Sequence, residues 1–107
     1  MDKQDLQQLL LVDNDKGEKK RFELDIEGKI AFVDYMISKQ QIIYLTHTEV
    51  PVGLEGKGVG SALVQKVLEH VAASNLKMAP LCPFVAAYLK RHPEMAKGLL
   101  APGFSVG

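Results

Sequence analysis

The chain has 107 residues, 47% hydrophobic and 24% charged, enough for one small domain over residues 1–107 with a real core. Lys and Arg (13) balance Asp and Glu (13), so the basic excess of a nucleic-acid binder is missing, and the single cysteine excludes an internal disulfide and fits a reducing compartment. No apolar run approaches the ~20 residues of a membrane-spanning helix, and Met1–Leu6 lacks the pattern of a secretory signal, so a cytoplasmic protein without a membrane or nucleic-acid partner is expected.

The first apolar run, Leu6–Val12, is short, and period alone does not separate helix from strand there. Asp13-Asn14-Asp15-Lys16-Gly17 is a turn signal, which makes Leu9–Val12 the predicted first strand of a hairpin. Arg21–Glu27 alternates, with Phe22, Leu24 and Ile26 inward and charged residues outward, as a half-buried strand does. Gly28-Lys29 turns the chain into Ile30–Ser38, with Ala31, Val33, Tyr35 and Ile37 on one face. Ser38-Lys39-Gln40 leads to Ile42–Val50, apolar at first on both faces, as in a central strand covered on both sides. Short turns between four strands predict an antiparallel meander.

Val50–Ser61 is the most informative stretch. Gly53, Gly56, Gly58 and Gly60 fall in a loop between a predicted strand and a predicted helix, Val59–Ser74. A glycine-rich turn that opens a helix leaves backbone N–H groups free, and with the helix dipole these form an anion site, most often for phosphate. Lys57 adds a positive charge inside the loop. The spacing fits neither the P-loop nor the dinucleotide-binding glycine pattern. Asn75 is a plausible left-handed end for the helix. Lys77–Leu81 is a short strand limited by prolines, Phe84–Arg91 a second helix that Pro93 ends, and Met95–Gly107 a segment with at most one short helical turn before it frays.

Glu55-Gly56-Lys57-Gly58-Val59-Gly60, with Val50 five residues before Glu55, resembles the cofactor motif of the GNAT superfamily of acyl-CoA-dependent N-acyltransferases, whose pattern is [QR]-x-x-G-x-[GA] followed by a helix. Glu55 stands where that family usually carries Gln or Arg. The words Arg21-Phe22-Glu23, His47-Thr48-Glu49-Val50, Pro80-x-Cys82-Pro83-Phe84 and Arg91-His92-Pro93-Glu94, in this order, are similar to those of a small branch of short predicted acetyltransferases. The resemblance covers roughly residues 21–94. It implies an α/β (α+β) fold with a GNAT-like mixed sheet: an antiparallel meander, the glycine loop and its helix, a parallel strand and a second helix. The segment Asp13–Lys20 is too short for the two helices that wall the acceptor site of larger members, so an open acceptor side is expected.

The resemblance also implies acetyl-CoA as cofactor and an amine acceptor, a protein lysine among the candidates. The strands Ile42–Val50 and Lys77–Leu81 would be parallel neighbours that splay apart, with the pantetheine arm of coenzyme A pairing to the open edge as an added strand would. Cofactor-binding residues would be Val50 and Val52, which offer a backbone N–H to the thioester carbonyl, and Gly56, Lys57, Gly58, Val59, Gly60 and Ser61 on the pyrophosphate. Glu55, unable to donate to phosphate, is expected to point away or to form a salt bridge outward. Acyl transfer needs a base for the amine and a proton for the departing thiolate. Glu49 and His47, two apart on one strand face, are candidates for the base, or else form a polar strand end. Tyr88 matches the tyrosine that in the family often protonates the thiolate; a core tyrosine is the alternative. Cys82 accepts an acyl group, lines the thioester pocket, or is a buried small residue. No metal-ligand spacing is present. Direct transfer to an amine is the expected chemistry. A CoA-binding module without efficient catalysis and a nucleotide-binding adaptor are the rivals.

Overall fold

A computed structural model describes residues 3–16 and 20–105. Helix α1 (Lys3–Gln8) precedes strands β1 (Val12–Asn14), β2 (Lys20–Ile26), β3 (Lys29–Ile37) and β4 (Ile42–Glu49). Helix α2 (Val59–Ala73), strand β5 (Lys77–Pro80), helix α3 (Pro83–Arg91) and a 3-10 turn (Pro93–Ala96) follow. The five strands form one sheet in chain order, the first four antiparallel and β4–β5 parallel. This is the mixed sheet that the resemblance implied.

The inward alternation of β2 and β3 holds: Phe22, Leu24, Ile26, Ala31, Val33 and Tyr35 are buried. They meet Leu63, Val64, Val67, Leu68 and Val71 of α2 and Val85 and Leu89 of α3 in a single core. Helix α2 ends as expected, on Asn75 at φ 58°. The N–H of Leu76 donates to the Val71 carbonyl (3.2 Å) and that of Asn75 to Ala72 (3.2 Å), a Schellman closure that satisfies the last carbonyls.

Three expectations are corrected. The first strand is Val12–Asn14, not Leu9–Val12, and a helical turn stands before it. Leu6 from that turn is buried, whereas Leu10 is exposed. What holds β1 in register is polar: the Tyr35 hydroxyl donates to Asp13, and Asn14 Nδ2 donates to Glu23 Oε2 (3.2 Å). The predicted turn thus begins later, and its Gly17 lies outside the described residues. The C-terminal segment does not simply fray, because Leu99 and Ala101 exchange backbone hydrogen bonds with Met78 (2.7 and 2.8 Å) and cover the edge of β5. Finally, β4 is central in the ladder but covered on one face only.

That last point follows from the register. Residues directly opposite one another share a face, and α2 and α3 cover the face of Phe22, Val33 and Tyr35. The other face carries Arg21, Glu23, Ile30, Phe32, Asp34, Met36, Ile42 and Tyr44, none of them buried. The Arg21 guanidinium lies 3.9 Å from the Phe32 ring centre and its Nε is 3.3 Å from Asp34. Among the described residues no element covers this face, in keeping with the expected open side. A β-bulge breaks the β3–β4 register: Asp34 opposes His47, Tyr35 opposes Leu45, and Thr46 has no partner. The extra residue reverses the alternation. Before it, Ile43 and Leu45 face the helices; after it, Thr48 does, while His47 and Glu49 join Asp34 and Phe32 on the open face.

Burial, then the hydrogen bond to Asp13 and the charges of Asp13 and Asp15, raise the Tyr35 hydroxyl well above the usual tyrosine value. A raised folded value means that the folded chain holds the proton longer than the unfolded one. The stability from this clasp is complete below about pH 10, the unfolded tyrosine value, and declines as pH rises through the folded value. Tyr35→Phe is expected to lose about 1 kcal/mol at pH 8 and to flatten the decline above pH 10. Urea unfolding at pH 8 to 11 measures both, and equal slopes for the two proteins would discount the clasp.

Candidate active site

Sheet pairing between β4 and β5 runs from Ile42 opposite Lys77 to Leu45 opposite Pro80. One further bond, from the Cys82 N–H to the Leu45 carbonyl (2.9 Å), ends it. Strand β4 continues to Glu49 without a partner from β5. The gap opens on a cavity of about 440 Å³ whose wall includes Thr48, Val50, Leu54, the glycine loop and Phe84.

Gly58 is the N-cap of α2, at φ 80°. Among the described residues no side chain caps this end, and no acidic residue sits in the first turn. The N–H groups of Val59, Gly60 and Ser61 therefore have no partner inside the helix, and the positive end of a 15-residue helix faces the cavity. Gly60 is required for a different reason: a Cβ there would lie 2.3 Å from Cζ of Phe84. The tip of the Phe84 ring thus lies against the first turn of α2, and Phe84 forms part of the cavity wall.

Of the predicted cofactor residues, Val50, Gly56, Gly58, Val59, Gly60 and Ser61 line this cavity. Val52, 85% exposed, and Lys57 stand outside its wall. Glu55 is exposed, lines the cavity and makes no ion pair among the described residues, so the salt bridge that was one expectation for it is not formed there. Thr48, Leu54 and Phe84 are wall residues that sequence reasoning did not single out. Thr48 and Phe84 lie inside quoted words, His47-Thr48-Glu49-Val50 and Pro80-x-Cys82-Pro83-Phe84, which was the available signal.

Cys82 is 2% exposed, and its thiol donates to Thr48 Oγ1 (3.2 Å). His47 and Glu49 meet each other, Nε2 to Oε1 at 3.1 Å, both exposed on the open face. An ionised carboxylate only accepts, so Nε2 carries the proton in that contact and Nδ1 of a neutral His47 is left as an acceptor. The bulge thus places Cys82 with Thr48 on the helix side and His47 with Glu49 on the other. Tyr88 lines a neighbouring cavity of about 380 Å³ with Gly58, Ser61 and His92. Burial, then the charges of Glu94 and Glu69, raise its hydroxyl above the usual tyrosine value. The two cavities share Gly58 and Ser61, so the candidates flank the start of α2 instead of forming one cluster.

Among the described residues no group of His, Cys, Asp and Glu could hold a metal ion, and no helix is long and apolar enough to cross a membrane. A strand that outruns its parallel neighbour, next to a glycine-rich helix start with free N–H groups, suits a ligand with a peptide-like arm and a diphosphate.

Comparison with known proteins agrees. The family described as GCN5-related N-acetyl-transferase matches residues 21–98. Protein NATD1 of Mus musculus is 29% identical over 84 residues, which are 77% of this chain and 76% of that protein. Protein NATD1 of Xenopus tropicalis is 25% identical over 95 residues, 87% of this chain and 86% of its own length. The Homo sapiens protein of that name is 32% identical over 63 residues, 59% of this chain and only 56% of the human one. The matched span begins in β2, crosses the glycine loop, α2, β5 and α3, and ends beyond the 3-10 turn. By its fold, its loop and this match, the chain belongs to the GCN5-related N-acetyltransferase family.

Proposed function

We propose that the chain transfers an acetyl group from acetyl-CoA to an amine by direct attack. The observation that carries this reading is the free stretch of β4 beyond Leu45, which opens beside the unpartnered N–H groups of α2. Acetyl-CoA supplies an activated thioester. The N–H groups of Val59, Gly60 and Ser61 hold its diphosphate, and the free edge of β4 holds its arm. His47 Nδ1, oriented by Glu49, takes the proton of the acceptor amine on the open face. Tyr88, whose raised value keeps it protonated well past neutral pH, supplies the proton to the departing thiolate. With no second layer over the sheet among the described residues, the acceptor side admits a large partner, and a lysine on a protein surface suits it.

A second reading is favoured by Glu55. This residue lines the cavity at the position where the family usually places a donor, and a negatively charged side chain beside the anion site opposes phosphate. A CoA-binding module with little catalysis would follow.

Titration with acetyl-CoA and CoA, by calorimetry and amide chemical shifts, tests the first step. Binding with shifts at Val50 and Gly56–Ser61 is expected. No binding at millimolar ligand, about 4 kcal/mol of affinity, would remove the cofactor assignment. With binding established, acetyl transfer to lysine-containing peptides separates an enzyme from a module.

A further inference from the structure

We propose that the Thr48 hydroxyl donates a hydrogen bond to the carbonyl oxygen of the bound acyl group, and that Cys82 is the positioning residue that aims it. This rests on the acetyl-CoA reading above. Thr48 lies in the cavity wall because the bulge at Thr46 turned it to that face. Cys82 is the residue at which the β4–β5 ladder ends, its N–H on Leu45 and its thiol on Thr48 Oγ1 (3.2 Å). The cysteine therefore ties the two strands together twice at the fork.

The direction of that second tie matters. Thiol sulfur is a weak acceptor, and here the S–H is the donor. The hydroxyl of Thr48 accepts it and keeps its own proton to give. Among the described residues that proton goes to no protein acceptor. Thr46 makes the contrast, since its hydroxyl donates to the Asp34 carbonyl (3.2 Å) and is used up on the backbone. Thr48 is thus a donor held in place by a buried neighbour, next to open space.

The chemistry has a use for it. When the amine nitrogen bonds to the thioester carbon, the π pair of the carbonyl moves onto oxygen. That pair returns as the C–S bond breaks, the sulfur leaves with its electrons and takes a proton, and the nitrogen loses one. A fixed donor on the oxygen lowers the barrier by stabilising charge that exists only in mid-reaction. Thr48 transfers no proton, and Cys82 forms no bond to the acyl group. Burial of the sulfur, with no basic side chain hydrogen-bonded to it among the described residues, fits a positioning role and not a nucleophile.

Infrared difference spectroscopy of the full chain with carbonyl-labelled acetyl-CoA reads the hydrogen bond directly. Relative to wild type, Thr48→Val should raise the thioester carbonyl frequency, slow acyl transfer to hydroxylamine roughly ten- to hundredfold, and leave the Kd for CoA, which has no acyl carbonyl, within about twofold. Thr48→Ser should restore both readouts. Cys82→Ala should give a smaller shift in the same direction, and Cys82→Ser, which keeps a donor, should reverse it. If Thr48→Val does not fold, Thr48→Ala against Thr48→Ser makes the same comparison. Wild-type frequency and rate in a folded Thr48→Val or Thr48→Ala protein would overturn the inference and leave the acetyl-CoA reading standing. An acyl adduct on Cys82 by mass spectrometry would also overturn it. Failure of the wild-type protein to bind acetyl-CoA would overturn both.

Discussion

Gly58→Asp is expected to weaken CoA binding at least hundredfold, about 3 kcal/mol, while the chain stays folded. Gly58 holds φ 80° at the N-cap of α2, a backbone state that disfavours most side chains. Aspartate is among the residues that tolerate it best, and a carboxylate at a helix start can accept the free N–H groups that follow. The new side chain would therefore occupy the anion site from within. It would also repel phosphate, by about 1 kcal/mol at 4 Å in bulk water and about 4 at an effective dielectric of 20. Only backbone strain opposes folding, and a Cβ at this position would approach nothing closer than Leu6 Cδ1 at 4.0 Å. Gly58→Asn separates the effects, because it has nearly the same shape without the charge. Calorimetry on the two variants should find Asn roughly tenfold weaker than wild type and Asp far weaker still. An Asp variant that binds CoA as wild type does would take the glycine loop out of the mechanism.

Phe22→Ala is expected to cost about 3–5 kcal/mol of stability. That is a large share of the roughly 5–15 kcal/mol of a small domain, so much of the protein would unfold at physiological temperature. Phe22 is 1% exposed. Its ring stacks on Tyr35 with centroids 4.4 Å apart, and the His70 ring of α2 meets its edge at 5.2 Å. Truncation would leave a void between sheet and helix and release Tyr35, the residue that clasps β1. Phe22→Leu, which fills most of the space, should cost far less. Urea denaturation monitored by circular dichroism gives both values, and a loss below about 1 kcal/mol for Ala would mean that α2 does not pack on this face.

What could be read from the sequence was what repeats at a fixed period. The alternation at Phe22, Leu24 and Ile26 gave β2, and the helical spacing from Val59 to Val71 gave α2 within a residue of its observed end. Punctuation worked equally well at Asn75 and Pro93. β1 was misplaced because Leu9–Val12 looks apolar, while the pairing that fixes the strand is made by Asp13 and Asn14. Tertiary partners, Tyr35 and Glu23, outweighed local pattern there. The glycine loop announced the cavity, since free N–H groups follow from local backbone alone. Phe84 and Thr48 were not singled out, because their place in the wall depends on how far β4 outruns β5. The two apolar faces at the start of β4 suggested cover on both sides; Ile42 and Tyr44 are in fact only half-buried, on a face that no second layer covers among the described residues.

The unpaired residue at Thr46 has a consequence for how this chain can vary in length. At the turn Ser38–Gln41 a residue can be gained or lost and the faces of the sheet keep their occupants. Loss of Thr46 itself has the same freedom, because removing the extra residue removes the bulge and leaves His47 outward and Thr48 inward. Pairing Thr46 into a regular ladder instead, with no residue left over, would carry His47 and Glu49 in among the helices and put Thr48 outside. Every side chain would still be present, yet the His47–Glu49 pair and Thr48 would have changed places.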